Sequence, residues 1–545
     1  MKKPISVRAR VAAVLSIGAL AVSGCANTDD DGGSDSGNNA GSGDLSLADI
    51  YVTGLVGVED DPGEPVDGGT LTVAEYSETA TLNPAQTYAT GSTGMNVMAA
   101  VYDTLLRYDQ EAGTYEPQLA ESLESDDDIT WTLKLRDGVT FTDGTPLDAK
   151  AVLGSLEYYI ANYGFQGNLI QSNAKSMKAV DDTTVVFTMN KPWATFPNML
   201  ASGPGLIMAP AAYANPEKFK PIGAGPFVFT SQAAGEKLVV SANEDYVGGR
   251  PHLDSIEFVM LGADVTKYES LKAGEIDVAY LRADDMVQQA RRDGWPGMVN
   301  AVNGGRTVNI NARPDSATGD VRVRQAVSAA IDAELYLERM TGNGDLADRG
   351  LMSESSTWNT DVEPTGVDIE KAKELLAEAK ADGFDGKLRF LSQSDSASRD
   401  GAVAFKAMLE AVGFEIELDL VNTIAEQTKA IYVDGDFDLA TGSSSVFDQD
   451  PYASMSEPLS STSLSNPGRY ANPEMDRLLG ELQGHASPEE GAETMAAIEE
   501  IFHEDVPYIS LAGGAFFNVW DKDVHGIKPT SQTAILFDDA WVAED

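Results

Sequence analysis

Cysteine is almost absent: Cys25 is the only one in 545 residues, so no disulfide can close within the chain. With only four histidines beside it, little is left to ligate zinc, and no H-E-x-x-H pair occurs because His503-Glu504 has no second histidine at the right distance. Positive charge is scarce too. Lys and Arg number 38 against 86 Asp and Glu, a formal net charge of −48. Such a surface repels nucleic acid and anionic lipid headgroups and favours solubility. Long apolar runs are missing, since the most apolar stretch, 11–22, falls far short of the ~20 residues that span a bilayer. There is no G-x-S-x-G nucleophile elbow and no G-x-x-x-x-G-K-[ST] phosphate loop. Gly342-x-Gly344-x-x-Ala347 fits a loose dinucleotide pattern, but it follows a predicted helix rather than a strand and reads as a loop. A carboxylate pair of the glycosidase kind is the one enzymatic arrangement that so many acids leave open.

What is present begins with an export signal. Lys2, Lys3, Arg8 and Arg10 precede the apolar run, which ends in Val22-Ser23-Gly24-Cys25. That ending resembles the bacterial lipobox, in which cleavage precedes the cysteine and its thiol carries a diacylglycerol. Residues 26–67 start with a Gly, Ser, Asn and Asp-rich run that buries too little apolar surface to fold and reads as a tether. Within it, 45–58 is more apolar, and either a weak helix or a segment docked on the body fits. A body of this length requires two or more cores.

The most informative stretch is 129–160. Trp131, Leu133 and Leu135 alternate with Thr132, Lys134 and Arg136, the period of a half-buried strand. Asp137-Gly138 followed by the alternating Val139 and Phe141 predicts a hairpin. Asp148 is placed to cap a helix with Val152, Leu153, Leu156 and Ile160 on one face. Further on, Ala372, Leu375, Leu376 and Ala379 share a helix face, 402–409 is amphipathic, and 414–420 alternates as a strand. Helix and strand in turn predict an α/β layered unit. A short strand is predicted at 507–511.

The run LRDGVTFTDGTPLDAKAV within that stretch resembles the signature of the oligopeptide-type solute-binding proteins of ABC importers. Other segments resemble that family in the same order: GGTLTVA at 68, YSETATLNP at 76, GAGPF at 223, NEDYVGGRP at 243 and LKAGEID at 271. The resemblance covers about 68 to the C-terminus. It implies an α/β, two-lobe periplasmic-binding-protein-like fold of type II, with an extra subdomain in the first lobe. The expected division is 1–24 signal, 25–67 anchor and linker, 68–305 first lobe with an insertion at about 107–200, 306–509 second lobe, and 510–545 returning to the first.

The resemblance also implies a function. A solute, most naturally an oligopeptide, binds between lobes that close by hinge motion, and the loaded form is handed to a membrane permease. The chain is expected to be monomeric, held at the outer face of the cell membrane by lipid on Cys25, with no cofactor, no resident metal, no nucleic-acid partner and no catalysis. Alternatives are the same role for an oligosaccharide, metal complex or opine, and, third, a surface hydrolase. Peptide-binding relatives hold the ligand's amino group with an aspartate a few residues before an acidic-proline pair. Asp450-Pro451 fits the pair, Phe447 takes the anchor's place, and Asp448 is the nearest carboxylate. Arg399, ahead of the helix at 402, is the candidate for a ligand carboxylate. Tyr76 and Ser77 lie in a loop near the ligand in the family, and Trp193 and Trp358 are candidates to stack on a sugar.

Overall fold

The structure, a computed structural model, describes residues 45–59 and 61–543. The predicted signal, Cys25 and the start of the predicted tether lie outside the described residues.

Two long strands, Gly297–Ile310 and Tyr508–Trp520, run antiparallel through the middle of an eleven-stranded mixed sheet. On one side of them the order is Leu439–Gly442, Lys387–Gln393, Glu415–Val421. On the other it is Val278–Leu281, Thr70–Glu75, Ser255–Met260, Lys237–Ala242, Phe227–Ala233. The first group pairs with the long strands around Thr307–Ile310, the second around Phe517–Trp520. One sheet therefore serves two lobes, and the long strands are what cross between them. Their register slips between Val302 and Thr307 around Arg306. A bulge there bends and twists the strand, and Gly304 takes a φ of +67 that a side chain would resist.

In the second lobe the predicted alternation is realised. Asp368 caps Ile369–Ala381, whose Ala372, Leu375, Leu376 and Ala379 are buried. The parallel strands Lys387–Gln393 and Glu415–Val421 flank the helix Ser396–Val412. In the first lobe a separate antiparallel sheet, ordered Ala120–Glu124, Thr130–Leu135, Thr184–Met189, Ala174–Ala179, forms the inserted subdomain. Trp131, Leu133 and Leu135 face its core, and Asp148 caps Ala149–Ala161 through the Ala151 N–H at 2.8 Å.

Two expectations are corrected and one left open is decided. Asp137-Gly138 does turn, with Gly138 at φ +76, but no hairpin follows. Both edges of Thr130–Leu135 are already taken by Ala120–Glu124 and Thr184–Met189, so Val139 and Phe141 descend into the core instead. The strand predicted at 507–511 is the start of a thirteen-residue strand, because Gly513-Gly514 hides the pattern opposite the register slip while the strand runs on past it. Residues 45–58 dock on the body. Ser46 forms a capping box with Asp49, Ile50 is fully buried, and Gly54–Val56 adds to the edge of Gly297–Ile310.

Candidate ligand-binding cleft

The apolar core of the inserted subdomain continues into the helices Pro451–Leu459, Pro473–Leu482 and Pro488–Asp505. Beside the crossing strands lies a cavity, open to solvent, of about 700 Å³, a size suited to a small-molecule ligand. Its lining comes from the crossing strands, through Asn309 and Phe516, and from both of the segments that flank them: Tyr280 and Arg282 on one flank, Ser444 and Phe447 on the other.

Tyr280 and Phe516, on neighbouring strands, stack with centroids 5.6 Å apart. Beneath them Lys267 is completely buried, paired with Asp264 at 2.7 Å and donating to the Tyr280 carbonyl. Burial lowers its pKa, and the Asp264 carboxylate opposes that. Glu75, at the end of its strand, accepts from Asn96 at 3.2 Å and is pushed up to about 7 by burial. Arg282 extends above this layer, 3.9 Å from the Tyr76 ring centroid, a cation–π contact.

The loop Gln532-Thr533 supplies another part of the lining in left-handed backbone, at φ 59 and 60. For a β-branched threonine that is strain, of order 1–3 kcal/mol. Asn518, buried in the second long strand, holds the loop by donating to the Thr533 carbonyl at 2.9 Å, and Asn96 accepts from the Ile535 N–H at 3.0 Å. At the far end Tyr88 and Phe165 meet with centroids 4.2 Å apart, and Tyr432 and Glu457 join them in the lining. Glu457 sits in the last turn of Pro451–Leu459, and burial pushes its carboxyl up to about 8.

The residues proposed from sequence fall in different places. Phe447 lines the cavity, and Tyr76 reaches it through Arg282. Ser77 faces a small separate pocket against Gln232 and Lys237. Asp448 is corrected as an ammonium anchor. Its two oxygens already accept from Asn303 Nδ2 at 3.0 Å, Ser356 Oγ at 2.7 Å, the Thr357 N–H at 2.6 Å and Thr357 Oγ1 at 2.8 Å. It fastens the 353–358 loop to the crossing strand. Asp450 is likewise committed: it caps its helix through the Ala453 N–H and accepts from Thr195 at 2.9 Å and Asn198 at 2.9 Å, across to the inserted subdomain. Even with those bonds burial pushes it up to about 6.

Trp193 is fully buried among Phe196 and Tyr452, and Trp358 is 5% exposed with its indole N–H on the Asp448 carbonyl, so neither offers a face to a sugar. Arg399 is exposed on Ser396–Val412, bonded to the Ser394 carbonyl and outside the cavity lining. Arg282 and Glu457 were missed. No sequence signal marks them, because their significance lies in what does not surround them. Among the described residues no cluster of His, Cys, Asp and Glu is arranged to hold a metal.

Known proteins supply comparisons. The family of bacterial extracellular solute-binding proteins, family 5, matches residues 114–466. The chain is similar to heme-binding protein A of Haemophilus influenzae, 28% identical over 470 residues that cover 78% of this chain and 84% of that one. It is 26% identical over 481 residues to the oligopeptide-binding protein AppA of Bacillus subtilis, covering 82% and 87%. Among solved structures, the periplasmic binding protein DppA of Helicobacter pylori, in complex with the peptide STSA, superposes with a TM-score of 0.72 at 23% identity, covering 88% of this chain and 99% of that one. Bacillus subtilis AppA in complex with a nonapeptide gives 0.72 at 22%, covering 88% and 100%. The two-lobe fold expected from the sequence is thus the fold of these neighbours.

Proposed function

The chain belongs to the bacterial extracellular solute-binding proteins of family 5, and from that premise we propose that it is the substrate-binding component of an ABC importer, taking peptides or related solutes. The carrying observation is the cavity of about 700 Å³ beside the two crossing strands, lined by them and from both of their flanks. The bulge at Arg306 and the glycine pairs 304–305 and 513–514 are the natural hinge, since two short glycine-rich segments can absorb the backbone change of closure. Residues 68–305 with 510–545 then move against 306–509, and the insertion at about 107–200 travels with the first group. Closure presents the loaded form to a permease. The protein acts as a monomer and does no chemistry on its solute.

Oligopeptides are the favoured cargo, since the serine and asparagine lining beside Phe447 offers hydrogen bonds to a peptide backbone. A flat non-peptide solute is the second reading, favoured by the aromatic end wall of Tyr88, Phe165 and Tyr432. Thermal shift against peptide, sugar and metal-complex libraries separates the two. A ligand at a hundredfold excess over its Kd adds about 2.7 kcal/mol to native stability. Recovery of the ligand intact by mass spectrometry is expected, and any turnover overturns the transport reading.

Anchoring follows from the lipobox-like segment. Lipid on Cys25 holds the protein at the outer face of the membrane. Cys25→Ala should abolish labelling by a fatty-acid probe and either release soluble protein or leave an uncut precursor; equal label on both forms refutes the anchor.

A further inference from the structure

Only two formal charges stand in the cavity lining, Arg282 and Glu457, and neither has a salt-bridge partner among the described residues. Arg282 donates its backbone N–H to Asp264, and its guanidinium lies against the Tyr76 ring with no hydrogen-bond acceptor among the described residues. Glu457 is half-buried and lines the cavity. No described donor reaches its carboxylate, and burial alone sets its pKa, with no cation near enough to offset it. It also lies in the last turn of its helix, where the backbone carbonyls disfavour negative charge.

The surroundings of Glu457 are aromatic. Crowding by the surrounding protein, and after it the Glu457 charge, hold the phenols of Tyr88 and Tyr432 above their usual range, although the two side chains are 57% and 40% exposed. Tyr159 feels the same pair of influences, with its hydroxyl donating to the Phe165 carbonyl at 2.9 Å. Beside them the Oε1 of Gln166, a residue 3% exposed, is buried with no hydrogen-bond partner. A carboxylate, an orphan carbonyl oxygen and aromatic rings in one lining together accept one kind of group: an organic ammonium, bound by charge, by its N–H donors and by cation–π attraction.

The geometry points to Glu457 as the residue that anchors the amino group of the solute, with Arg282 receiving an anionic group at the other end of the same cavity. This deepens the solute-binding reading and rests on it. A zwitterion whose two charges are well separated fits such a pair, because adjacent protein charges would offset one another and these do not. A short peptide with free termini has that form, and a free amino acid does not. Bound, the ammonium supplies the cation Glu457 lacks, so the carboxyl gives up its proton as the ligand enters. Tyr88, Tyr159 and Tyr432 are the titratable groups that flank it, and Arg282 is the one other formal charge in the lining.

The test uses wild-type protein, Glu457→Gln and Arg282→Gln, titrated calorimetrically with a random pool of tri- to pentapeptides bearing free termini. The same pool N-acetylated, and the same pool C-amidated, are run beside it. Wild type is expected to lose roughly thirtyfold or more in affinity on acetylation, the loss typical of unpairing a buried charge. Glu457→Gln should bind the free pool that much more weakly and no longer distinguish it from the acetylated pool. Arg282→Gln should lose discrimination only against the amidated pool. Unfolding curves confirm that each variant folds, and Glu457→Gln, which removes a carboxyl whose ionised form has no partner, is expected to gain stability as pH rises toward 8. Retained discrimination against acetyl peptides in Glu457→Gln overturns the proposal while leaving the peptide reading intact. If no peptide pool binds wild type, the peptide reading falls, and a panel of non-peptide amines against their neutral isosteres then judges Glu457 alone. Equal binding of amine and isostere overturns it.

Discussion

The helix Pro451–Leu459 has one buried carboxyl group at its start and one half-buried near its end, and they live in opposite circumstances. Asp450, at its start, is enclosed in the seam with the inserted subdomain and takes three hydrogen bonds, from Thr195, Asn198 and the Ala453 N–H. Glu457, two turns on, faces the cleft and takes none from any described residue. Burial raises both, to about 6 and about 8; at Asp450 hydrogen bonds oppose the rise, and at Glu457 nothing does. A satisfied carboxyl joins two parts of a fold. An unsatisfied one in a cavity is a cost that only a ligand removes.

The largest effect should come from breaking the seam. Asp450→Ala leaves Thr195 and Asn198 as buried groups without their acceptor and removes a helix cap, a loss of about 3 kcal/mol in chemical denaturation. Peptide binding by the surviving folded fraction should change little. Asp448→Asn comes next, at about 2 kcal/mol, since one of its oxygens becomes a donor facing donors. It should leave discrimination between free and acetylated peptides untouched, the reverse of Glu457→Gln.

The third prediction is a pH slope. Glu457 ionises at about 8 in the folded protein against an ordinary value of 4.5, so between those values the folded state holds more protons than the unfolded one. Stability contributed by that group is therefore lost as pH rises from about 4.5 to about 8. Glu75 and Asp103, both pushed up to about 7 by burial, and Asp450 act in the same direction. The ligand-free protein should denature more easily at pH 8 than at pH 5. Glu457→Gln should flatten part of that slope, its advantage over wild type growing to about 2 kcal/mol by pH 8. An identical slope in the two proteins denies Glu457 its half-buried, unpaired character. The smallest effect belongs to the ring wall: Tyr88→Leu should weaken free peptides by about threefold, the value of one partly exposed cation–π contact, and leave acetyl peptides unchanged.

The unequal legibility of these features has a physical cause. Asp148, Asp368 and Asp450-Pro451 can be read as helix starts because a cap acts on backbone N–H groups two or three residues along the chain. The face of Ile369–Ala381 can be read because the helical period is local. The hairpin predicted at Asp137-Gly138 failed because strand pairing is decided by competition, and Ala120–Glu124 and Thr184–Met189 had taken both edges. Trp193 and Trp358 looked available to a ligand only because sequence carries no account of burial.

The sequence by itself determined the family, the two-lobe α/β fold and most of the elements, because periodicity, capping and turn chemistry act over a few residues and the signature segments keep their order. Only the tertiary structure decided which polar residues are spoken for. Asp448 and Glu457 are nine positions apart and chemically alike. One faces donors from residues about ninety and about 145 positions away, the other faces an aromatic-walled space with no cation. A side chain's freedom to bind is set by the neighbours that long-range packing brings to it.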